Sequence, residues 1–81
     1  MKIAGYKVVC VEWIDSSSRF GWQDINENVD LRVVSIGFLI LEKKDRIVLA
    51  KSIALAPKNE VQSFHSQMHI PKCAIKKLRH L

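Results

Sequence analysis

Glycine, proline and cysteine are scarce in this 81-residue chain, at three, two and two copies, and each shortage closes off a class of protein. The glycines, Gly5, Gly21 and Gly37, are scattered, so no glycine-rich loop is available to cradle a phosphate. Cys10 and Cys73 are too few for the disulfide framework of a small secreted scaffold, and two free thiols in a reducing compartment are expected. Long apolar runs are missing too. The longest, Val33 to Leu41, is interrupted by Ser35 and Gly37 and falls far short of the roughly 20 residues that cross a bilayer. Met1-Lys2-Ile3-Ala4-Gly5-Tyr6-Lys7 lacks the apolar stretch of a secretory signal, so a cytoplasmic location and no membrane partner are expected. With no low-complexity tract or internal repeat, and room for one core only, residues 1–81 are read as a single domain.

What is present is β chemistry. Lys7 to Ile14 is rich in β-branched and aromatic residues, with Val9, Val11 and Trp13 on one side at period two. Asp15-Ser16-Ser17-Ser18 breaks that pattern and opens a long loop, in which Trp22 to Asn28 has the character of one helical turn. Leu31 to Leu41 is a second strand with both parities largely apolar, and Gly37 in its middle is where such a strand would kink or bulge. Glu42 to Arg46 is a charged connection of hairpin length leading into Ile47 to Leu55. After the loop Ala56 to Glu60, Val61 to Ile70 alternates Phe64, Met68 and Ile70 with His65, Gln67 and His69. Pro71 presets a short helical turn, and Ile75, Leu78 and Leu81 at spacing three fit either that turn or a closing strand.

Together these segments describe a mainly β protein whose pattern resembles a small five-stranded SH3-like or Sm-like barrel, with a long first loop and a short helical turn before the last segment. An open antiparallel sheet carrying one helix is the alternative. A domain this small covers one sheet face with its own chain, so the doubly apolar Leu31 to Leu41 predicts a homo-oligomer.

The net charge of +5 is unevenly laid out. Residues 12–30 hold five acids against Arg19 alone, whereas residues 31–81 hold ten Lys or Arg against Glu42, Asp45 and Glu60. Such segregation suits an anionic ligand or head-to-tail association of identical subunits.

Catalytic and metal-binding patterns are weak. His65, His69 and Cys73 have spacing that would align ligands on a helix, but Pro71 disfavours that helix. On a strand the two histidines stand about 13 Å apart, too far for one ion. No metal is expected, and the plainer reading is two solvent-facing histidines and a buried thiol. Ser16, Ser17 and Ser18 lack the Gly-x-Ser-x-Gly elbow of a nucleophile, and Asp15, Asp24 and Glu27 read as ordinary surface carboxylates. No catalytic residue and no cofactor is assigned, and the protein is read as not an enzyme.

Arg19-Phe20-Gly21-Trp22 is the stretch best suited to binding. Arginine offers a planar donor fork for phosphate, and the aromatic rings offer stacking faces for a base. The candidate ligand-binding set is Ser17, Ser18, Arg19 and Trp22, with a core role for Phe20 and Trp22 as the plainer reading. Lys72, Lys76, Lys77 and Arg79 form a second candidate, a basic patch without an acid among them, which more often marks a solvated face.

Asp15-Ser16, Gly21-Trp22, Val34-Ser35-Ile36-Gly37, Ala50-Lys51-Ser52 and Ile70-Pro71 with Ile75 resemble a signature of small uncharacterised proteins encoded by tailed bacteriophages. The resemblance implies expression in an infected host cell and action by binding, to nucleic acid, to a host protein or to nucleotide signals of host defence. The function expected is a non-enzymatic oligomeric module that captures an anionic, nucleotide-like ligand. A module for single-stranded nucleic acid and a protein–protein inhibitor of a host factor are the alternatives.

Overall fold

The protein is described by a computed structural model covering residues 1–15 and 31–81; the Arg19–Trp22 loop and the expected turn at 22–28 lie outside the described residues. The elements in chain order are β1 (Lys2–Ile3), β2 (Tyr6–Asp15), β3 (Leu31–Glu42), β4 (Arg46–Leu55), β5 (Val61–Pro71), a 3-10 turn (Lys72–Ala74) and β6 (Ile75–His80). All pairings are antiparallel. The protein is therefore mainly β, and the expected strands fall close to their expected bounds.

The short β1 adds to the expected set. Ile3 pairs with Tyr6 across a two-residue turn, Ala4-Gly5, whose φ angles are 54° and 83°. Positive φ at both central residues is the turn that matches the twist of a tight hairpin, and it suits asparagine or glycine better than alanine. Ala4→Asn is accordingly expected to stabilise the fold by about 0.5–1 kcal/mol, a rise of roughly 2–8 °C in Tm by scanning calorimetry.

β2 lies at the centre. One edge carries β3 in register from Lys7–Leu39 to Asp15–Leu31, so the other is shared end to end by β1 and β6. The sheet runs β1-β2-β3-β4-β5 with β6 beside β2. β5 forms no ladder with β6, so among the described residues the sheet is open and barrel closure is not observed.

The core forms where β2, β4, β5 and β6 converge. Val9, Val11, Ile47, Leu49 and Ile70 are buried together, and Trp13, Leu39, Ile75 and Leu78 pack against them. Val48 and Ala50, of opposite parity on β4, are also buried, so this stretch is covered on both faces. Tyr6 and Phe64 meet edge-to-face with centroids 5.4 Å apart, although two strands separate β2 from β5 in the sheet order. The sheet is thus strongly curled. The spacing of Ile75 and Leu78 is resolved by a bulge: Glu12 pairs with Lys77 and Trp13 with Ile75, leaving Lys76 as the extra residue. One added residue reverses the alternation, and both apolar side chains reach the core from a strand.

Gly37 departs from expectation. The irregularity in β3 falls between Leu39 and Leu41, not at the glycine. Gly37 instead stands where β3 and β4 part company. Their ladder runs from Glu42–Ile47 to Phe38–Ala50 and stops; from there β3 continues on β2 alone and β4 on β5 alone. A Cβ on Gly37 would lie 2.8 Å from the Ala50 carbonyl oxygen. The fork closes only because position 37 has no side chain.

Candidate functional site

Among the described residues two clefts open, one at the end of β2 and one in the fork between β3 and β4. The first, about 410 Å³, opens at the end of β2, where Trp13, Ile14 and Asp15 face His69 and Pro71 of β5 and Cys73 and Ala74 of the 3-10 turn. Pro71 is tolerated because β5 is an edge strand, and its φ of −62° leads the chain into the turn. The turn is moored to the β3–β4 hairpin: the Lys72 backbone N–H donates to the Asp45 carbonyl at 2.8 Å, and the Lys72 ammonium reaches Glu42 Oε2 at 3.2 Å.

The second cleft, about 270 Å³, lies in the fork, between Ser35 and Ile36 on β3, Leu49 to Lys51 on β4, and Ser66 and Met68 on β5. Ser66 is left-handed at φ 58° within a strand otherwise extended. A short polar chain divides the clefts. Trp13 Nε1–H donates to Ser35 Oγ at 3.1 Å, and that hydroxyl donates to Met68 Sδ at 3.5 Å. Trp13 walls the first cleft while Ser35 and Met68 wall the second, so the indole stands between them.

Ser17, Ser18, Arg19 and Trp22 lie outside the described residues, but the two points where their segment joins the sheet do not. Asp15 pairs with Leu31, so the two residues that flank segment 16–30 stand side by side, and Asp15 lines the first cleft.

The basic candidates are split. Lys77 and Arg79 pair with Glu12 and Cys10 across the β2–β6 ladder and stand on one face with them. Arg79 Nη2 approaches Cys10 Sγ at 3.9 Å, and Arg32 reaches Glu12 at 3.4 Å from the other side. This face therefore gathers Arg32, Lys77 and Arg79 around one carboxylate. Lys72 is drawn away to Glu42, and Lys76 occupies the bulge, so the expected four-residue patch is not one cluster.

Cys73, read from the sequence as a buried thiol, is exposed, while Cys10 is buried. Proline ends β5 early enough to place Cys73 on the turn rather than on a core-facing strand. His65 Nε2 lies 3.1 Å from Ser63 Oγ, whereas His69 faces the first cleft. Among the described residues no three His, Cys, Asp or Glu side chains converge as a metal site, and no helix is long and apolar enough to cross a membrane.

The cleft residues Trp13, His69 and Cys73 were not recognisable as a set from sequence. Trp13 reads as core, which it partly is, and only Pro71 hinted at the turn that brings the others near it. No family model, curated protein or solved structure matches the chain.

Proposed function

We propose that the protein is a non-enzymatic binding module that captures an anionic, nucleotide-like ligand at the first cleft, with Ser17, Ser18, Arg19 and Trp22 completing the site. The observation that carries this reading is the position of the cleft at the root of segment 16–30. Arg19 follows Asp15 by four residues, a length of chain that spans at most about 14 Å. The volume suits a small molecule. An indole and an imidazole give the cleft a stacking surface and a hydrogen-bonding group. The strand order, with β6 beside β2 and a 3-10 turn before it, supports an SH3-like plan that is rolled without closing. The resemblance to small phage proteins supports a setting in the cytoplasm of an infected host, where sequestering a defence nucleotide requires no chemistry.

Native mass spectrometry of protein purified from phage-infected cells is the direct test, because it reads retained ligand mass and subunit number together. With the retained nucleotide as probe, Arg19→Ala and Trp22→Ala are each expected to weaken binding about tenfold or more while the circular dichroism spectrum stays β-like. A folded Arg19→Ala protein of undiminished affinity would sink the proposal.

One observation favours a second reading, binding of single-stranded nucleic acid: the shared face of Arg32, Lys77 and Arg79. On that reading Lys77→Ala and Arg79→Ala each lower the slope of log affinity against log salt by about one, measured with a fluorescent oligonucleotide, and Lys72→Ala does not.

A further inference from the structure

The fork cleft differs in charge and surface from the cleft at the end of β2. Ile36, Leu49, Ala50 and Met68 give it apolar walls, Lys51 is the one charged residue in its lining, and no carboxylate lines it. The first cleft has the reverse balance, with Asp15 and no lysine or arginine among the described residues that line it. Lys51 makes no ion pair among the described residues, whereas Arg32, Arg46 and Lys72 each do.

Two breaks in the strand ladders frame this space. On one side β3 leaves β4 beyond the Phe38–Ala50 rung, at the close approach that Gly37 permits. On the other, the β4–β5 register runs through Ala50–Gln67 and Ser52–His65 without a Lys51–Ser66 rung between them, and Ser66 is left-handed at φ 58°. A residue other than glycine seldom adopts that conformation, and such departures gather at binding sites. The gap in this ladder falls at the residue that carries the charge of the cleft. Leu49 and Ala50 are buried and Lys51 is exposed, so the cleft is apolar at its inner end and cationic at its outer one.

We propose that the fork cleft is a second small-molecule site, for a short aliphatic carboxylic acid held tail-inward with its carboxylate at Lys51. The proposal goes beyond the nucleotide reading and does not depend on it. Charge complementarity selects the head group: an unpaired ammonium beside a cleft that lacks acids favours an anion, and the net charge of +5 favours anions at long range. The apolar walls select the remainder. A compact phosphate would gain nothing from Ile36, Leu49 and Met68, whereas a hydrocarbon tail removes them from water. At about 270 Å³ the cleft falls just below the usual range for drug-sized ligands, which limits the occupant to a small molecule. One hydroxyl remains for the head group: that of Ser66 has no partner among the described residues, while that of Ser35 is bonded to Trp13 and Met68.

Octanoate is the probe, titrated into isotope-labelled protein and followed by heteronuclear NMR, which reports the fold and the site together. Shifts are expected at Ser35, Ile36, Leu49, Lys51, Ser66 and Met68. Affinity is expected to rise about threefold to fourfold per methylene from butanoate through hexanoate to octanoate. Octanol, which has the tail without the charge, is expected to bind wild-type protein about twofold to fivefold more weakly than octanoate. Lys51→Met is expected to bind the two equally, and Lys51→Glu to prefer octylamine to octanoate. Both substitutions fall at an exposed position, so both proteins are expected to keep the wild-type spectrum away from the cleft. Shifts that fall elsewhere, affinity independent of chain length, or octanoate binding undiminished in Lys51→Met would overturn the proposal.

Discussion

Gly37→Ala is expected to destabilise the fold by about 2–3 kcal/mol and to lower Tm by roughly 10–20 °C, as read by denaturant titration and scanning calorimetry. An added Cβ stands 2.8 Å from the Ala50 carbonyl oxygen, inside any tolerable contact, and the obstacle is backbone rather than a side chain that could swing aside. Relief requires β3 and β4 to separate at Phe38–Ala50, the last rung before the fork. Leu49 Cβ, 3.4 Å away, blocks escape toward the core. A fall of less than about 0.5 kcal/mol would mean that the fork yields freely and that the close approach of the strands is not fixed.

Ile70→Ala is expected to be more damaging, at about 3–4 kcal/mol, whereas Met68→Ala, two residues away on the same strand, is expected to change stability by about 1 kcal/mol or less. Ile70 is 0% exposed, pairs with Ile47 and belongs to the central cluster with Val9 and Val11. Its truncation leaves a void enclosed by four strands. Met68 is 41% exposed at the lip of the fork cleft, where water refills the space. A domain of this size has on the order of 4–12 kcal/mol in total, so Ile70→Ala removes a large share of it. Equal effects of the two substitutions in urea melts would show that the core does not centre on β5 at Ile70.

Much of the strand pattern was legible because period-two alternation is a direct record of one buried face. Val9, Val11 and Trp13 were grouped correctly on that basis, and the Glu42–Arg46 connection was placed by its charge and length. β1 is not legible in the sequence because Ala4-Gly5 is not the asparagine–glycine pair that advertises such a turn. The three-residue spacing of Ile75 and Leu78 could equally mean a helix, and only the partner strand β2 shows that Lys76 is bulged. Where the β3–β4 ladder ends was not legible at all. Both faces of β3 are apolar, so its composition is the same before and after the fork.

The candidate site was less legible than the fold. Its cleft joins residues 13–15 to residues 69–74, and proximity of that kind depends on the Trp13–Ile75 rung rather than on spacing within any motif. The basic patch failed for a related reason: Lys72 has a carboxylate partner thirty residues away in sequence, which no local charge count reveals.

The β2–β6 ladder also governs the order in which the molecule can assemble. The β3–β4 and β4–β5 hairpins join neighbours in sequence and form on a timescale of about microseconds, but the rung between Val9 and His80 brings together opposite ends of the chain. The entropy of closing so long a loop is offset only once the hairpins have already drawn β2 and β5 into place. The first cleft, built from β2, β5 and the turn that delivers β6, is therefore completed by the slowest step of folding, and its shape exists only in a chain that has finished folding.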